Sequence, residues 1–213
     1  MQGVFVPQRK KLYSCKKHHD FSSFYYFPLI NNYYLKRIKL TTSLIEDASG
    51  SVLEIGFGSG IMFYQLKDKF SNLFGLCTCE DTALIQRGLQ SDNVNAILSR
   101  GDAHNIPFKD KSLDCVIGMS VFEHFVNLEQ PFKEVKRVLK DDGIFICSFP
   151  VKNVIMSCWF KLVRFDEKKE HPSGSKYMLK MLKENFNVER ILKFPDFLKV
   201  DNCFYMACRC KKR

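Results

Sequence analysis

Residues 51–60 read Ser-Val-Leu-Glu-Ile-Gly-Phe-Gly-Ser-Gly, and this stretch decides the fold. The apolar run around Leu53 is typical of a short buried strand, and the glycines that follow end it. A helix is predicted over 60–70, so the loop joins a strand to a helix. In parallel sheets ligands bind beyond the carboxyl ends of strands, where glycine lets the backbone approach a ligand and the next helix offers free N–H groups. The stretch therefore indicates an α/β fold with a ligand-binding loop.

The spacing of the glycines separates this loop from two common nucleotide-binding loops. A dinucleotide fingerprint, G-x-G-x-x-G, would place its third glycine at position 61, which is Ile61. A phosphate loop of the ATPase type needs a Lys-Ser or Lys-Thr pair, and none follows Gly60. Two interpretations remain, a loop for another ligand and a tight turn that binds nothing.

Strands and helices alternate on both sides of the loop. Further strands are predicted at 73–77, 95–99, 113–118, 144–148, 188–194 and 204–209, and further helices at 31–48, 81–88, 131–140 and 176–185. We expect Asp141-Asp142-Gly143 to end the helix at 131–140. The last two strands have no helix between them, which predicts antiparallel neighbours at the sheet edge. The pattern predicts a Rossmann-like α/β fold, with a seven-stranded, mostly parallel sheet, an antiparallel last strand, and helices on both faces.

Composition excludes several classes of protein. Of 213 residues, 46% are hydrophobic, too many for a disordered chain. No apolar run reaches the ~18 residues of a membrane-spanning helix, and the basic cluster at 9–11 follows the first apolar stretch, unlike a secretory signal. The nine cysteines lie mostly in apolar runs and form no pair of C-x-x-C motifs, which favours reduced thiols in a cytoplasmic protein without a metal site.

The net charge of +10 is concentrated in two flanks. Residues 1–40 and 161–213 each carry a net charge of +7, whereas residues 41–160 carry −4. One interpretation is solvated surface. The other is that the flanks face an anionic partner, such as a phosphate, a nucleic acid or a membrane surface.

Four segments together resemble the class I S-adenosylmethionine-dependent methyltransferases, in particular the type 11 domains. They follow in order and at the family's spacing, at 51–60, 101–108, 112–124 and 132–150. The resemblance implies a methyltransferase with S-adenosylmethionine as its cofactor. It also implies three parts: a basic, aromatic arm and helix over 1–48 that forms a lid, a cofactor-binding core over 49–150, and an insert with the final strands of the same domain over 151–213.

The resemblance also implies the residues of the cofactor site, which are Glu54, Gly56, Phe57, Gly58, Gly60, Cys77, Thr78, Asp102, Ala103 and Ser120. The glycines would let the main chain approach the methionyl part. Glu54 would orient the loop and the methionyl amino group. Asp102 would accept from the adenine amine while the N–H of Ala103 meets a ring nitrogen, and Ser120 would lie beneath the methionyl group.

The ribose position departs from the family pattern. The family places an acid at the end of the second strand to accept both ribose hydroxyls, and counting from Gly60 puts Cys77 there. A thiol is a poor bidentate acceptor. Glu80 or Asp81 would serve if the strand runs longer, although the helix dipole also explains acids in a first helical turn.

Candidates for the acceptor site come from the core and the insert. Glu123 and His124 would lie at the mouth of the pocket. His124 is the candidate catalytic residue, a general base by its pKa, and the alternative is a histidine that only packs. In the insert, Trp159 would contact an apolar moiety, and Lys161 and Arg164 an anionic group.

Three functions stay open. The first is methyl transfer to a small-molecule or lipid-linked acceptor, anionic or at an anionic surface, with peripheral membrane contact through the insert. The second is RNA methylation through the basic flanks, although the N-P-P-Y-type tetrapeptide of enzymes that methylate nucleic-acid amino groups is absent at 118–121. The third is a protein that keeps the fold and binds without turnover. Nothing in the sequence indicates the oligomeric state.

Overall fold

Seven strands and five helices make up the part of the chain that the structure describes. A computed structural model describes residues 4–8, 13, 21–28, 30–45, 48–153 and 172–213. The strands are β1 (Ser51–Ile55), β2 (Asn72–Cys77), β3 (Ala96–Arg100), β4 (Leu113–Met119), β5 (Leu139–Pro150), β6 (Phe186–Phe194) and β7 (Tyr205–Lys212). The helices are α1 (Asn31–Thr42), α2 (Phe63–Leu66), α3 (Thr82–Ser91), α4 (Glu129–Val138) and α5 (Ser175–Asn185). Short 3-10 turns span Phe21–Tyr26, Phe122–His124 and Val200–Asn202.

The strands form one sheet in the order β3-β2-β1-β4-β5-β7-β6. β7 runs antiparallel to both β5 and β6, and the other neighbouring strands are parallel. This confirms the predicted fold class and the antiparallel pairing of the last two strands. Because β7 inserts between β5 and β6, β6 is the edge strand at this end of the sheet, and β3 is the edge strand at the other.

The two faces of the sheet bury separate hydrophobic clusters. Successive residues of a strand point to opposite faces, so Val52 belongs to one cluster and Leu53 to the other. Helices α1, α2 and α3 cover the first face, called face A below, and α4 and α5 cover the second, face B. This confirms the prediction of helices on both faces. Glu54, two residues after Val52, points to face A.

The predicted end of the helix at 131–140 is wrong. α4 ends at Val138 and β5 begins at Leu139, so Asp141-Asp142-Gly143 lies inside a strand. Leu139 already pairs with Leu113 ahead of a bulge in the ladder between β4 and β5. A Cβ on Gly143 would lie 3.1 Å from the carbonyl oxygen of Lys140, so this glycine permits a close backbone approach and does not end a helix.

Two other helices are shorter than predicted. The helix expected over 31–48 ends at Thr42, and the one expected over 60–70 comprises only Phe63–Leu66. At the end of α1 the hydroxyls of Thr41 and Thr42 donate to backbone carbonyls one turn earlier. Such bonds compete with continuation of the helix.

Two further findings concern helices and thiols. Among the described ranges, no helix has the length and apolar character needed to cross a membrane. The free thiols in this part of the chain include Cys77, which is partly exposed, and the buried Cys115, Cys147, Cys203, Cys208 and Cys210.

Candidate active site

The sheet places the candidate site at the carboxyl ends of β1 and β4. β2 and β3 extend from β1 in one direction, and β4 and β5 extend in the other. The strand order therefore reverses between β1 and β4, which is where open α/β sheets bind ligands.

The glycine loop leaves its backbone open on one side. The N–H of Gly56 donates to the carbonyl oxygen of Leu76 (2.7 Å), which anchors the loop to β2. A Cβ on Gly56 would lie 2.5 Å from the side chain of Val121, so only glycine fits there. Gly58 has a φ of +49° and nothing within 4 Å of an added Cβ, so its backbone is accessible to a ligand. Phe57 is buried in the face A cluster and offers a ligand only its backbone.

Glu54 lies beneath this loop as a buried carboxylate. It is 1% exposed, and within the described ranges its Oε2 atom has no hydrogen-bond partner. Burial raises the pKa of the Glu54 carboxyl well above its ordinary value. An unpartnered buried carboxylate is costly, so it marks a place where a positively charged or hydrogen-bonding ligand would be stabilised.

The ribose candidates lie at the end of β2. Cys77 is the last residue of the strand and pairs with Arg100 of β3. Thr78 follows it and is exposed. Because the strand ends at Cys77, Glu80 lies three residues beyond, where its Oε1 atom is 3.4 Å from the guanidinium of Arg100. Asp81 immediately precedes α3.

The adenine candidates follow β3. Ala103 is buried and Asp102 is exposed. Asp102 Oδ1 accepts from the backbone N–H of His104 (3.0 Å) and lies 2.7 Å from its Nδ1 atom. Burial acts to raise the pKa of Asp102, but the two contacts with His104 outweigh it, so the pKa is lowered and the carboxylate stays ionised.

A chain of hydrogen bonds joins Ser120, which follows β4 with a φ of +55°, to α1. Arg37 Nη2 donates to Ser120 Oγ (2.5 Å), which lies 2.7 Å from the hydroxyl of Tyr205. That hydroxyl donates to Ser148 Oγ (3.2 Å), which lies 2.9 Å from Thr41 Oγ1, and Thr41 Oγ1 donates to the carbonyl oxygen of Arg37 (2.9 Å). A guanidinium only donates and a carbonyl only accepts. Each hydroxyl therefore donates to the next group in the order Ser120, Tyr205, Ser148 and Thr41.

The guanidinium of Arg37 lies among aromatic rings. Its Cζ atom is 4.8 Å from the ring centre of Tyr205, 4.9 Å from that of Tyr34 and 5.7 Å from that of Tyr33. Its Nε atom is shielded from solvent and has no hydrogen-bond partner. Within the described ranges no carboxylate pairs with it. Arg37 is therefore a half-buried cation whose guanidinium makes a single hydrogen bond to the described side chains.

Glu123 carries the opposite charge nearby. It is 2% exposed, and neither carboxylate oxygen has a hydrogen-bond partner among the residues that the structure describes. Burial raises its pKa, and the charges of His124 and Arg37 act in the opposite sense. His124 follows it in the same 3-10 turn and is exposed. The structure therefore places Glu123 inside the protein and His124 at its surface.

The remaining candidates, Trp159, Lys161 and Arg164, lie outside the described residues. The described ends of their segment are anchored near Glu123 and β7. Asn153 Nδ2 donates to the carbonyl oxygen of Cys203 (2.7 Å), and the N–H of Ser173 donates to the carbonyl oxygen of Glu123 (3.2 Å).

Sequence reasoning missed Arg37 and Tyr205. α1 buries Tyr34, Ile38 and Thr41, and Arg37 lies on the same face of the helix, three residues after Tyr34. A single arginine on the apolar face of a helix was the available signal. The sequence offers no such signal for Tyr205, because a tyrosine in an apolar strand is common.

Comparison with known proteins agrees with this geometry. Residues 53–147 match the model of a family described as a methyltransferase domain. A malonyl-[acyl-carrier protein] O-methyltransferase of Geobacter sulfurreducens is 32% identical over 98 residues, which are 44% of this chain and 36% of that protein. An uncharacterised protein of Methanocaldococcus jannaschii is 34% identical over 145 residues, 68% of this chain and 54% of that one. The chain thus spans between about a third and about half of the length of these relatives.

A solved structure shows the same fold over most of the chain. A protein from Pyrococcus horikoshii superposes with a TM-score of 0.67 at 23% identity, covering 91% of this chain and all of that one. The similarity therefore extends beyond the matched core to include the later strands.

Proposed function

Because residues 53–147 belong to the class I S-adenosylmethionine-dependent methyltransferase family, we propose that the chain transfers the methyl group of S-adenosylmethionine to an anionic acceptor. One observation carries the proposal. At the reversal point of the sheet, the open backbone of Gly58 follows β1, in which the buried carboxylate of Glu54 has an Oε2 atom without a hydrogen-bond partner among the described residues. Fold alone does not determine function, and this pair gives the fold a site for a nucleoside linked to a cationic amino acid.

The residues present fit that cofactor at its methionyl end. S-adenosylmethionine supplies an electrophilic methyl group on a sulfonium centre. Glu54 accepts from the amino group, and the Gly58 backbone approaches the methionyl chain. Positive charge on the ligand stabilises the ionised form of Glu54 and so offsets the burial that raises its pKa.

The nucleoside end fits less completely. Asp102 is ionised and exposed, and accepts from the adenine amine, while the N–H of Ala103 meets a ring nitrogen. Cys77 stands where the family has an acid for the ribose, and a thiol accepts hydrogen bonds weakly. We therefore expect the affinity to depend mainly on the methionyl and adenine ends.

Charge supports an anionic acceptor. The two flanks each carry a net charge of +7, and Arg37 from the first flank reaches the buried end of the site. The Geobacter sulfurreducens relative is named for a malonyl substrate, whose free carboxylate is anionic. A small-molecule or lipid-linked anion therefore fits this chain, and His124, exposed beside Glu123, is the proposed general base. Trp159, Lys161 and Arg164 remain proposed contacts.

Calorimetry with S-adenosylhomocysteine tests cofactor binding without knowledge of the acceptor. A side chain at position 58 would project into the ligand's space from a backbone with positive φ, so Gly58→Val should abolish detectable binding. Gly174→Val is the matched control, since Gly174 also has open space around it but an ordinary φ of −65°. Unchanged affinity in a folded Gly58→Val protein would contradict the placement.

A transfer assay with labelled S-adenosylmethionine then tests the acceptor class. The panel should contain small carboxylates, anionic lipid vesicles and RNA, each beside a neutral counterpart. We expect transfer to an anionic small molecule or lipid. Transfer to RNA alone would replace our proposal with RNA modification, and binding without transfer to any acceptor would favour a non-catalytic protein.

A further inference from the structure

His104 contacts the carboxylate that we propose for the adenine amine. Its Nδ1 atom lies 2.7 Å from Asp102 Oδ1, and its backbone N–H donates to the same oxygen (3.0 Å). Although burial acts to raise the pKa of Asp102, these contacts lower it, so the carboxylate is ionised and only accepts. The Nδ1 atom of His104 therefore carries a proton, which it donates to Asp102.

The two contacts end on one oxygen of Asp102 and leave the other accessible. In the part of the chain that the structure describes, no group hydrogen-bonds to Asp102 Oδ2. An exposed aspartate without such contacts turns about its side-chain bonds, and a ligand has to immobilise it at an entropic cost. Because Oδ1 is held against the loop, Oδ2 is oriented before a ligand arrives.

His104 is itself held by the segment that follows β4. The centre of its ring lies 5.1 Å from that of Phe125, with 58° between the planes, and the ring of Phe125 lies 5.7 Å from that of the buried Phe122. The carbonyl oxygen of His104 accepts from Gln130 Nε2 (3.1 Å). The imidazole is therefore fixed from the side opposite to Asp102, and it holds the carboxylate in one orientation.

The fold does not depend on this contact. Asp102 and His104 are both exposed, and exposed ion pairs contribute little to stability. The loop has other anchors, because the N–H of Ile106 donates to Glu134 Oε2 (2.8 Å) and Arg137 Nη2 donates to the carbonyl oxygen of Ile106 (2.8 Å). The bond from the imidazole therefore determines the orientation of the carboxylate and not the shape of the loop.

We infer that His104 is a positioning residue for the recognition of adenine, an inference that rests on the proposed function. By holding Asp102 Oδ1, it presents Oδ2 to the exocyclic amine of the base. A hydrogen bond to an ionised acceptor is stronger than one between neutral groups, so the orientation of this one oxygen sets the preference for a purine that carries the amine.

Two nucleosides that differ only in the exocyclic amine test this role. They are S-adenosylhomocysteine and its analogue in which a hydrogen atom replaces that amine, and calorimetry gives the ratio of their dissociation constants. The wild type should prefer the first by at least about tenfold. His104→Phe keeps a ring against Phe125 but removes Nδ1, so it should lower that preference by about 3- to 10-fold and leave the affinity for the analogue unchanged.

Three further variants separate the orientation of Asp102 from a general effect on the loop. His104→Asn keeps a side-chain donor at the position of Nδ1, so it should retain most of the preference. In an Asp102→Ala background, His104→Phe should cause no further loss, because His104 acts through the carboxylate. Asn105→Ala changes an exposed neighbour in the same loop and should bind both nucleosides as the wild type does.

The outcomes distinguish this inference from the proposed function. An unchanged preference in His104→Phe, or equal weakening of both nucleosides, would overturn the inference and leave cofactor binding intact. A wild type that binds both nucleosides equally would do the same, because the amine would then not meet Asp102. If the wild type binds neither nucleoside, the proposed function fails and this inference fails with it.

Discussion

Two arginines of this protein contrast in how completely their donors are used. On face B, Arg137 of α4 donates to both oxygens of Glu134 (2.8 and 2.7 Å), to Asp110 (2.7 Å), and to the carbonyl oxygens of Ile106 and Phe108 (2.8 Å each). We call Arg137 and these five hydrogen bonds, with their partners Glu134, Asp110, Ile106 and Phe108, the clamp. On face A, Arg37 makes a single side-chain hydrogen bond within the described part of the chain, and its Nε atom has no partner there.

The contrast separates an arginine whose donors are satisfied within the fold from an arginine that has donors left over. The residues of the clamp hydrogen-bond to one another, and Glu134 also accepts from the N–H of Ile106 (2.8 Å). The clamp therefore fixes the segment that follows Asp102 and Ala103. The cluster of Arg37, Glu123 and Glu54 is open, with four buried atoms that have no hydrogen-bond partner in the described part of the chain. Native proteins leave few buried polar groups unsatisfied, so open charges at a strand-order reversal point to a ligand.

Breaking the clamp should have the largest effect on stability. Arg137→Met removes five hydrogen bonds and leaves the buried carboxylate of Glu134 unpaired, so we expect a loss of about 3 kcal/mol in the free energy of unfolding. Chemical denaturation measures it, with the exposed Lys133→Met on the same helix as the control. A loss no larger than the control's would mean that the clamp does not support the fold.

Neutralising the open cluster should act in the opposite direction. Glu123 has a raised pKa through burial, so the folded state holds its proton more tightly than the unfolded state. Wild-type stability should therefore fall as pH rises from about 4.3, the unfolded value, through the folded pKa. Glu123→Gln abolishes this fall and should be more stable by about 2 kcal/mol at pH 8.

The clamp provides the opposite pH profile for comparison. The bonds from Arg137 lower the pKa of Glu134, so the stabilisation by Glu134 is present above its unfolded pKa and is lost as pH falls through the folded value. Glu134→Gln should thus cost stability at pH 8 and little near pH 3. Denaturant melts of both variants at several pH values measure this, and equal profiles would contradict the contrast between closed and open charges.

Adding an acceptor at the site should change affinity and not stability. Cys77→Asp supplies the charged group that the ribose position lacks, so we expect S-adenosylhomocysteine to bind about tenfold more tightly, equivalent to about 1.4 kcal/mol. Thr78→Asp, one residue further, is the positional control. If Glu80→Ala loses most of the affinity and Cys77→Asp changes nothing, the ribose lies against Glu80.

Interrupting the hydroxyl chain should have the smallest effect. Tyr205→Phe removes one donor and one acceptor, and about 1 kcal/mol of unfolding free energy should be lost. Tyr177→Phe, on the exposed face of α5, should be neutral. Thermal melts of both variants measure the difference. A Tyr205→Phe protein as stable as the wild type would show that these hydroxyl hydrogen bonds add nothing to the free energy of unfolding.

The sequence predicted the scaffold better than the site. The strand periodicity and the glycines gave β1 to β4, the loop and the antiparallel end, because each depends on residues close in the chain. It failed at Asp141-Asp142-Gly143, since pairing of Leu139 with Leu113 overrides the local turn signal. Arg37 could not be placed either. Helical periodicity identifies the face on which it lies, but its partners Ser120 and Tyr205 are brought to it only by the folded sheet.

The hydroxyl chain has a consequence for how the site assembles during synthesis. It closes between α1, which precedes β1, and Tyr205 of β7, which follows the other six described strands. Contacts so distant in sequence form late, because the ends of a long segment must first be brought together. A chain that has formed its glycine loop before β7 pairs still lacks Tyr205, one of the two side chains that hydrogen-bond to Ser120. We therefore expect ligand affinity to reach its native value only after β7 has joined the sheet.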